Sequence, residues 1–206
     1  MVFVKIIDFV FNVVFPPKCC VCGTIGDDAF CQKCVSQIKY IPHTAGTTAS
    51  VAVYDGVIKK AIKKLKFNKK KQLAPVLSKI MLNNARITDF DAIIPVPLHK
   101  TRSKVRGFNQ SELLAKDISV FYKMPILTDI LVRVKNTSPQ FGLKKGERHA
   151  NIQGAFAVTG ADKITGKKIL LIDDILTTGA TLNECKNELL SAGAERVMAY
   201  TLSKAE

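Results

Sequence analysis

Two carboxylates, Asp173 and Asp174, stand side by side after an apolar run, Ile169-Leu170-Leu171-Ile172. Small, hydroxyl-rich residues follow, Thr177-Thr178-Gly179-Ala180-Thr181, and these open a helical pattern. Four apolar residues in a row predict a strand buried on both faces. A helix N-terminus offers unpaired N–H groups and the positive end of a dipole, so the turn is built to hold an anion. Carboxylates beside an anion site can accept hydrogen bonds from sugar hydroxyls and support Mg²⁺ through water. This is the chemistry of a ligand that carries both a phosphate and a ribose diol.

A second constellation lies near the N-terminus. Four of the six cysteines fall as Cys19-x-x-Cys22 and Cys31-x-x-Cys34. Two intervening residues let one turn present both thiolates to a single tetrahedral ion, and two such turns close a Cys₄ site for structural zinc. Gly23 supplies the left-handed backbone that such a turn uses. Two disulfides would suit an exported chain, and no export signal is evident. An iron–sulfur cluster would use the same four ligands. Cys20 reads as a spectator. Cys185, at helical spacing with Leu182 and Leu189, reads as a small core residue.

The elements that must position these groups follow from periodicity. Val51-Ala52-Val53-Tyr54 predicts a strand, and Ile58, Ala61, Ile62 and Leu65 form one face of a helix. The stretch from Val57 to Lys71 holds eight lysines (Lys59, Lys60, Lys63, Lys64, Lys66, Lys69, Lys70 and Lys71) and no acid. A solvated face usually mixes signs, so this one is expected to bind anions. Leu73, Val76, Leu77, Ile80 and Met81 predict a second helix. Ala92 to Pro97 predicts a strand that exits into a basic loop with His99, Lys100, Arg102, Lys104 and Arg106, and Asn109 caps the helix after it. Residues 133–151 form a long polar segment, expected to be functional or mobile. Arg196 to Leu202 predicts the last strand. Strands alternating with helices predict an α/β sheet, which binds ligands at the C-terminal ends of its strands.

The chain has 206 residues, 47% of them hydrophobic, enough for a packed core, and a net charge of +14 from 31 basic and 17 acidic residues. That balance favours nucleic acid, phosphorylated metabolites or an anionic membrane surface as partners. The apolar stretch from Met1 to Phe15 is interrupted by Lys5, Asp8 and Asn12 and is too short to span a bilayer. It predicts a packed helix, with peripheral membrane contact as the alternative.

From Ile169 to Thr181 the sequence resembles, position by position, the signature by which type I phosphoribosyltransferases bind phosphoribosyl pyrophosphate (PRPP). Further pieces extend the likeness: the Cys₄ module, Tyr54-Asp55-Gly56 before a lysine-rich helix, Arg106-Gly107-Phe108-Asn109-Gln110-Ser111, Ser138-Pro139-Gln140, Arg148 with Asn151, and Gly154-Ala155-Phe156. In their order and combination these resemble the ComF family of competence proteins over nearly the whole chain. The resemblance implies a zinc-binding module over residues 1–45. It also implies a type I phosphoribosyltransferase-like domain over 46–206, with a mainly parallel sheet flanked by helices. It implies that Thr177, Thr178, Gly179, Ala180 and Thr181 hold the 5′-phosphate and that Asp173 and Asp174 hold the ribose diol. Arg102, Lys104 and Arg106 would face the pyrophosphate with Mg²⁺, and Gln140 and Arg148 are candidates on a closing loop. Two function classes follow. One is a cytoplasmic competence protein, acting at or near the inner face of the membrane with single-stranded DNA and other DNA-uptake proteins. The other is a phosphoribosyltransferase of nucleotide or base metabolism, whose acceptor no constellation in the chain identifies.

Overall fold

The computed structural model describes residues 16–42, 46–137 and 151–205. The N-terminal apolar stretch, Gln140 and Arg148 lie outside the described residues. The order of elements is α1 (Gln32–Val35), β1 (Thr48–Val53), α2 (Gly56–Phe67), α3 (Leu73–Asn83), β2 (Ala92–Pro95), α4 (Lys100–Arg106), α5 (Gln110–Tyr122), β3 (Leu131–Arg133), β4 (Phe156–Val158), β5 (Lys168–Leu176), α6 (Ala180–Ser191) and β6 (Arg196–Lys204).

Four strands form one parallel sheet in the order β1-β6-β5-β2. Strands β3 and β4 pair separately as an antiparallel ribbon. The central strand β5 explains the two-sided core. Its alternation places Leu170 and Ile172 in one cluster with α2, α3 and α5. It places Ile169 and Leu171 in the other, with α6 and the β3–β4 ribbon. All four are fully buried, as a continuous apolar run in a parallel strand requires. Cys185 is likewise fully buried in the second cluster.

The cysteine-bearing segment has little core of its own. Cys19, Val21, Phe30, Cys34 and Ile38 join the cluster that α2 and α3 build. Lys39 to Ile41 runs antiparallel along β1, where Ile41 N–H donates to the Val51 carbonyl and Val53 N–H to the Lys39 carbonyl, each at 2.9 Å. That segment covers the outer edge of the sheet.

One expectation fails locally. The basic stretch after β2, expected to be a loop, is the helix α4. His99 Nδ1 caps it by accepting from Thr101 N–H at 3.3 Å, and Gly107 ends it in the left-handed region at φ 79°. A local cap and a terminal glycine thus override the turn-like look of a polar, charged stretch. Among the described residues no helix is long and apolar enough to cross a membrane.

Candidate ligand cleft and metal centre

The parallel strands β2 and β5 pair with Pro95 opposite Ile172, so the chain leaves both strands at the same edge. A cavity of about 200 Å³ opens there. From the segment just after β2 come Val96, Pro97 and Leu98, and from β5 come Asp173 to Leu176. Val96 is tied into the floor by its own N–H, which donates to the Ile172 carbonyl at 2.9 Å. Its carbonyl accepts from Asn109 Nδ2 at 3.0 Å. This is the crevice beyond the carboxyl ends of the strands where open α/β sheets bind ligands.

Strand β5 continues through both aspartates before the chain turns at Thr177 to Gly179. Gly179 adopts φ 82° immediately before α6, and an added Cβ would stand 3.7 Å from Asn183 Nδ2 and Leu176 Cδ1. Space is available there, so the left-handed backbone is what calls for glycine. Thr177, Gly179 and Thr181 line the cavity. Thr178 faces its own turn, its Oγ1 accepting from Ala180 N–H at 3.5 Å, and Ala180 is buried at the start of the helix.

The two carboxylates have different environments. Asp174 is 5% exposed and pairs with Lys66 of α2, whose Nζ lies 2.8 Å from Oδ2 and 2.9 Å from Oδ1. Asp173 keeps some exposure toward the cleft. Its Oδ1 accepts from Ser111 Oγ at 2.8 Å and from Asp174 N–H at 2.9 Å. Burial, and next the adjacent Asp174 carboxylate, raise the Asp173 pKa to about 7, against the pull of Lys66.

Opposite them stand Arg102 and Arg106 of α4 and Arg133 of β3, all on the cavity wall. Arg102 is anchored by donating to the Thr137 carbonyl at 2.7 Å, and Arg133 donates to Thr137 Oγ1. The Arg133 guanidinium lies over the Phe156 ring, 5.4 Å from its centroid. Burial lowers the pKa of Arg106 and of Arg133, and the nearby Arg102 lowers both further. Two partly desolvated guanidiniums with a third cation beside them are relieved by an anion. Gln110, 3% exposed on the same wall, has its Oε1 buried without a partner.

The structure thus brings Asp173, Asp174, Thr177, Gly179, Thr181, Arg102 and Arg106 to one cleft. Lys104, on the exposed side of α4, does not line it. Lys66, Gln110, Ser111 and Arg133 do, and the spacing of the β5 motif does not point to them. Lys66 also leaves the lysine set that was expected to face an external anion, because it is committed to Asp174. Gln110 and Ser111 had a usable signal. They open a helix just after a strand that ends at the ligand-binding edge.

The cysteine set forms a second site. The sulfurs of Cys19, Cys22, Cys31 and Cys34 lie within 4.8 Å of one another. Cys19 to Cys34 is 3.9 Å and Cys22 to Cys31 is 3.6 Å. A tetrahedral zinc with Zn–S bonds of about 2.3 Å separates its sulfurs by about 3.8 Å, so the set fits that ion. The N–H groups of Val21 and Cys31 both donate to Cys19 Sγ at 3.4 Å, as partners of a metal-bound thiolate do. Gly23 has the expected left-handed φ of 81°, and Cys20 stands outside the set.

Comparison with known proteins agrees with both sites. The family model for the phosphoribosyl transferase domain matches residues 110–205, and that for the double zinc ribbon domain matches residues 10–48. The zinc ribbon match and the four-cysteine cluster together make this a structural zinc module. The chain is 38% identical over 116 residues to Competence protein F of Haemophilus influenzae, covering 56% of this chain and 51% of that protein, about half its length. It is 30% identical over 181 residues to DNA utilization protein YhgH of Escherichia coli O157:H7, covering 84% and 77%. It is 32% identical over 162 residues to Competence protein ComFC of Bacillus subtilis, covering 74% and 62%. With a phosphoribosyltransferase-like sheet, a four-cysteine ribbon and this span of similarity, the chain belongs to the ComF family of competence and DNA-utilization proteins.

Proposed function

We propose that the protein binds PRPP in the cleft between β2 and β5 and handles single-stranded DNA on its lysine-rich face, in the uptake and use of incoming DNA. The observation that carries this reading is the convergence of Asp173, Asp174 and the turn at Thr177–Thr181 with Arg102, Arg106 and Arg133 around one cavity. In this reading the turn and the start of α6 take the 5′-phosphate. Asp173 and Asp174 take the ribose hydroxyls, and Asp174 exchanges its contact with Lys66 for the ligand. Asp173 and Asp174 would also hold Mg²⁺ through water, and the ion would supply neutralising charge for the pyrophosphate. Arg102 and Arg106 neutralise the pyrophosphate. The buried, unpartnered Gln110 Oε1 supports the presence of a ligand that donates a hydrogen bond there.

Residues 1–45 serve as the zinc-binding module and 46–206 as the phosphoribosyltransferase-like domain. The exposed Lys59, Lys60 and Lys63 of α2, with Lys69, Lys70 and Lys71 beyond it, supply a sequence-independent track for a strand's phosphates. The names of the relatives support a place in DNA uptake or use. That setting implies a cytoplasmic protein near the inner membrane face, in contact with other uptake components.

Two assays separate this reading from a metabolic phosphoribosyltransferase. Strand binding that weakens steeply with salt, with no purine or pyrimidine stimulating pyrophosphate release from PRPP, is the expected result. Base-dependent pyrophosphate release together with no strand binding at low salt would replace it with the metabolic reading.

A further inference from the structure

A second groove adjoins the cleft. It runs between the end of α2 and α4, encloses about 240 Å³, and has a mainly apolar floor. Phe67 and Val105 form that floor and are 70% and 76% exposed. Lys66, Lys69, Arg102 and Arg106 line its rim. Three of these four, Lys66, Arg102 and Arg106, also line the PRPP-type cleft. Arg106 lies 5.5 Å from the Phe67 ring centroid.

Single exposed apolar residues are common and need no explanation. This pair differs from the others. Exposed Phe121 at least has a ring partner, Tyr122, at 5.0 Å between centroids. Phe67 and Val105 instead share one groove, and no acid is among its lining residues. An aromatic face ringed by cations suits a flat, apolar group that carries phosphates on either side. The lining residues bear only hydrogen-bond donors and the Thr101 hydroxyl, with no carboxylate and no amide. Such a groove can stack a base and donate to its acceptor atoms, but apart from the Thr101 hydroxyl it offers no side-chain acceptor for a base's N–H groups. That favours a base within a strand, held by its flanking phosphates, over a free base that edge contacts must hold.

We infer that the Phe67–Val105 groove seats one base of single-stranded DNA, stacked on the Phe67 ring beside Arg106, with the adjacent phosphates on Lys69 and the rim arginines. This rests on the strand-binding reading above and deepens it. The lysines of α2 would bring the strand to the mouth of the cleft, and the groove would fix one nucleotide next to it.

The test compares an oligothymidylate of about 12 nucleotides, within the usual range of single-strand site sizes, with an abasic oligomer of equal length and charge. Phe67→Ala should weaken oligothymidylate binding roughly 5- to 100-fold, the range that removal of one base stack implies. It should leave abasic binding and the salt slope unchanged. The chain contains no tryptophan, so Phe67→Trp creates a single fluorophore that base stacking should quench. Unaltered oligothymidylate binding by Phe67→Ala, with no quenching of Phe67→Trp, would overturn the inference. So would a Phe67→Trp signal that responds to vesicles of phosphatidylglycerol and phosphatidylcholine but not to the oligomer, which would make the groove a lipid contact. Wild-type protein that binds neither oligomer at low salt would remove the strand-binding reading and this inference with it. Equal wild-type affinity for both oligomers would remove the inference alone.

Discussion

At the scale of residues, the site is a balance between like charges. Asp173 and Asp174 are adjacent, and only Asp174 has a close cation. Because folding raises the Asp173 pKa from 3.8 to about 7, the native state holds a proton that the unfolded chain has lost. The resulting stabilisation is complete below the unfolded pKa and disappears as pH rises through about 7. Asp173→Asn keeps an acceptor for Ser111 and removes the titration. In Mg²⁺-free buffer the variant should match wild type near the unfolded pKa and exceed it above pH 8, by at most about 4 kcal/mol. Urea midpoints across pH would check this, and parallel profiles would contradict it. Lys66→Ala leaves the Asp174 carboxylate buried and unpaired, and should cost about 2–4 kcal/mol near neutral pH. Adding Asp174→Asn should recover most of that, and a loss below about 0.5 kcal/mol, the size of a surface change, would place the pair among ordinary surface contacts. The run Ile169 to Thr181 was legible in sequence because strand, carboxylates and turn are contiguous. Lys66 and Arg133 were not, because two other elements deliver them and only the folded sheet brings them together.

At the scale of elements, helix α2 has two roles. Its inner face, Ile58, Ala61, Ile62 and Leu65, is buried, as its spacing predicted, and Val57 is buried with it. Its lysines divide by position in a way that spacing alone does not disclose. Lys59, Lys60 and Lys63 are exposed, and Lys66 turns into the cleft. Lys64 is half-buried, its Nζ donating to the Val21 carbonyl at 3.4 Å. The strand-binding test therefore belongs to the exposed three. Reversing Lys59, Lys60 and Lys63 to Glu should weaken single-strand binding on every sequence. It should flatten the slope of log affinity against log salt by roughly 0.7 for each phosphate no longer neutralised. PRPP affinity should stay unchanged, since none of the three lines the cleft. An unaltered slope would make this face a solvated surface. Helix α4 carries the opposite lesson. Its charge made it look like a loop, and the local cap at His99 with the stop at Gly107 made it a helix. That difference fixes the site, because a helix holds Arg102 and Arg106 one turn apart on the cleft side and leaves Lys104 outside.

At the scale of the whole molecule, the zinc module and the sheet share a core. Cys19, Val21, Phe30, Cys34 and Ile38 pack into the cluster that also holds α2 and α3. Structural zinc in small modules contributes on the order of 10 kcal/mol of apparent binding free energy, so its loss should reach beyond the ribbon. Cys22→Ser or Cys31→Ser should release zinc, expose the α2 face and lower the thermal midpoint of the entire protein. Metal analysis with calorimetry would check this, and an unchanged midpoint after zinc loss would contradict it. The Cys-x-x-Cys pairs announced the metal in sequence, but their continuity with the main core could not be read there, since it depends on packing between segments far apart in the chain. The account as a whole turns on whether the cleft between β2 and β5 binds PRPP. The most direct measurement is calorimetric titration of Mg²⁺ and PRPP into the zinc-loaded protein and into the Asp173→Asn, Asp174→Asn double variant. The account predicts saturable binding at one site per chain by the unmodified protein, weakened in the double variant by about 2–4 kcal/mol as charge-assisted hydrogen bonds disappear. Equal affinity in the two proteins, or no heat from the unmodified one, would contradict it.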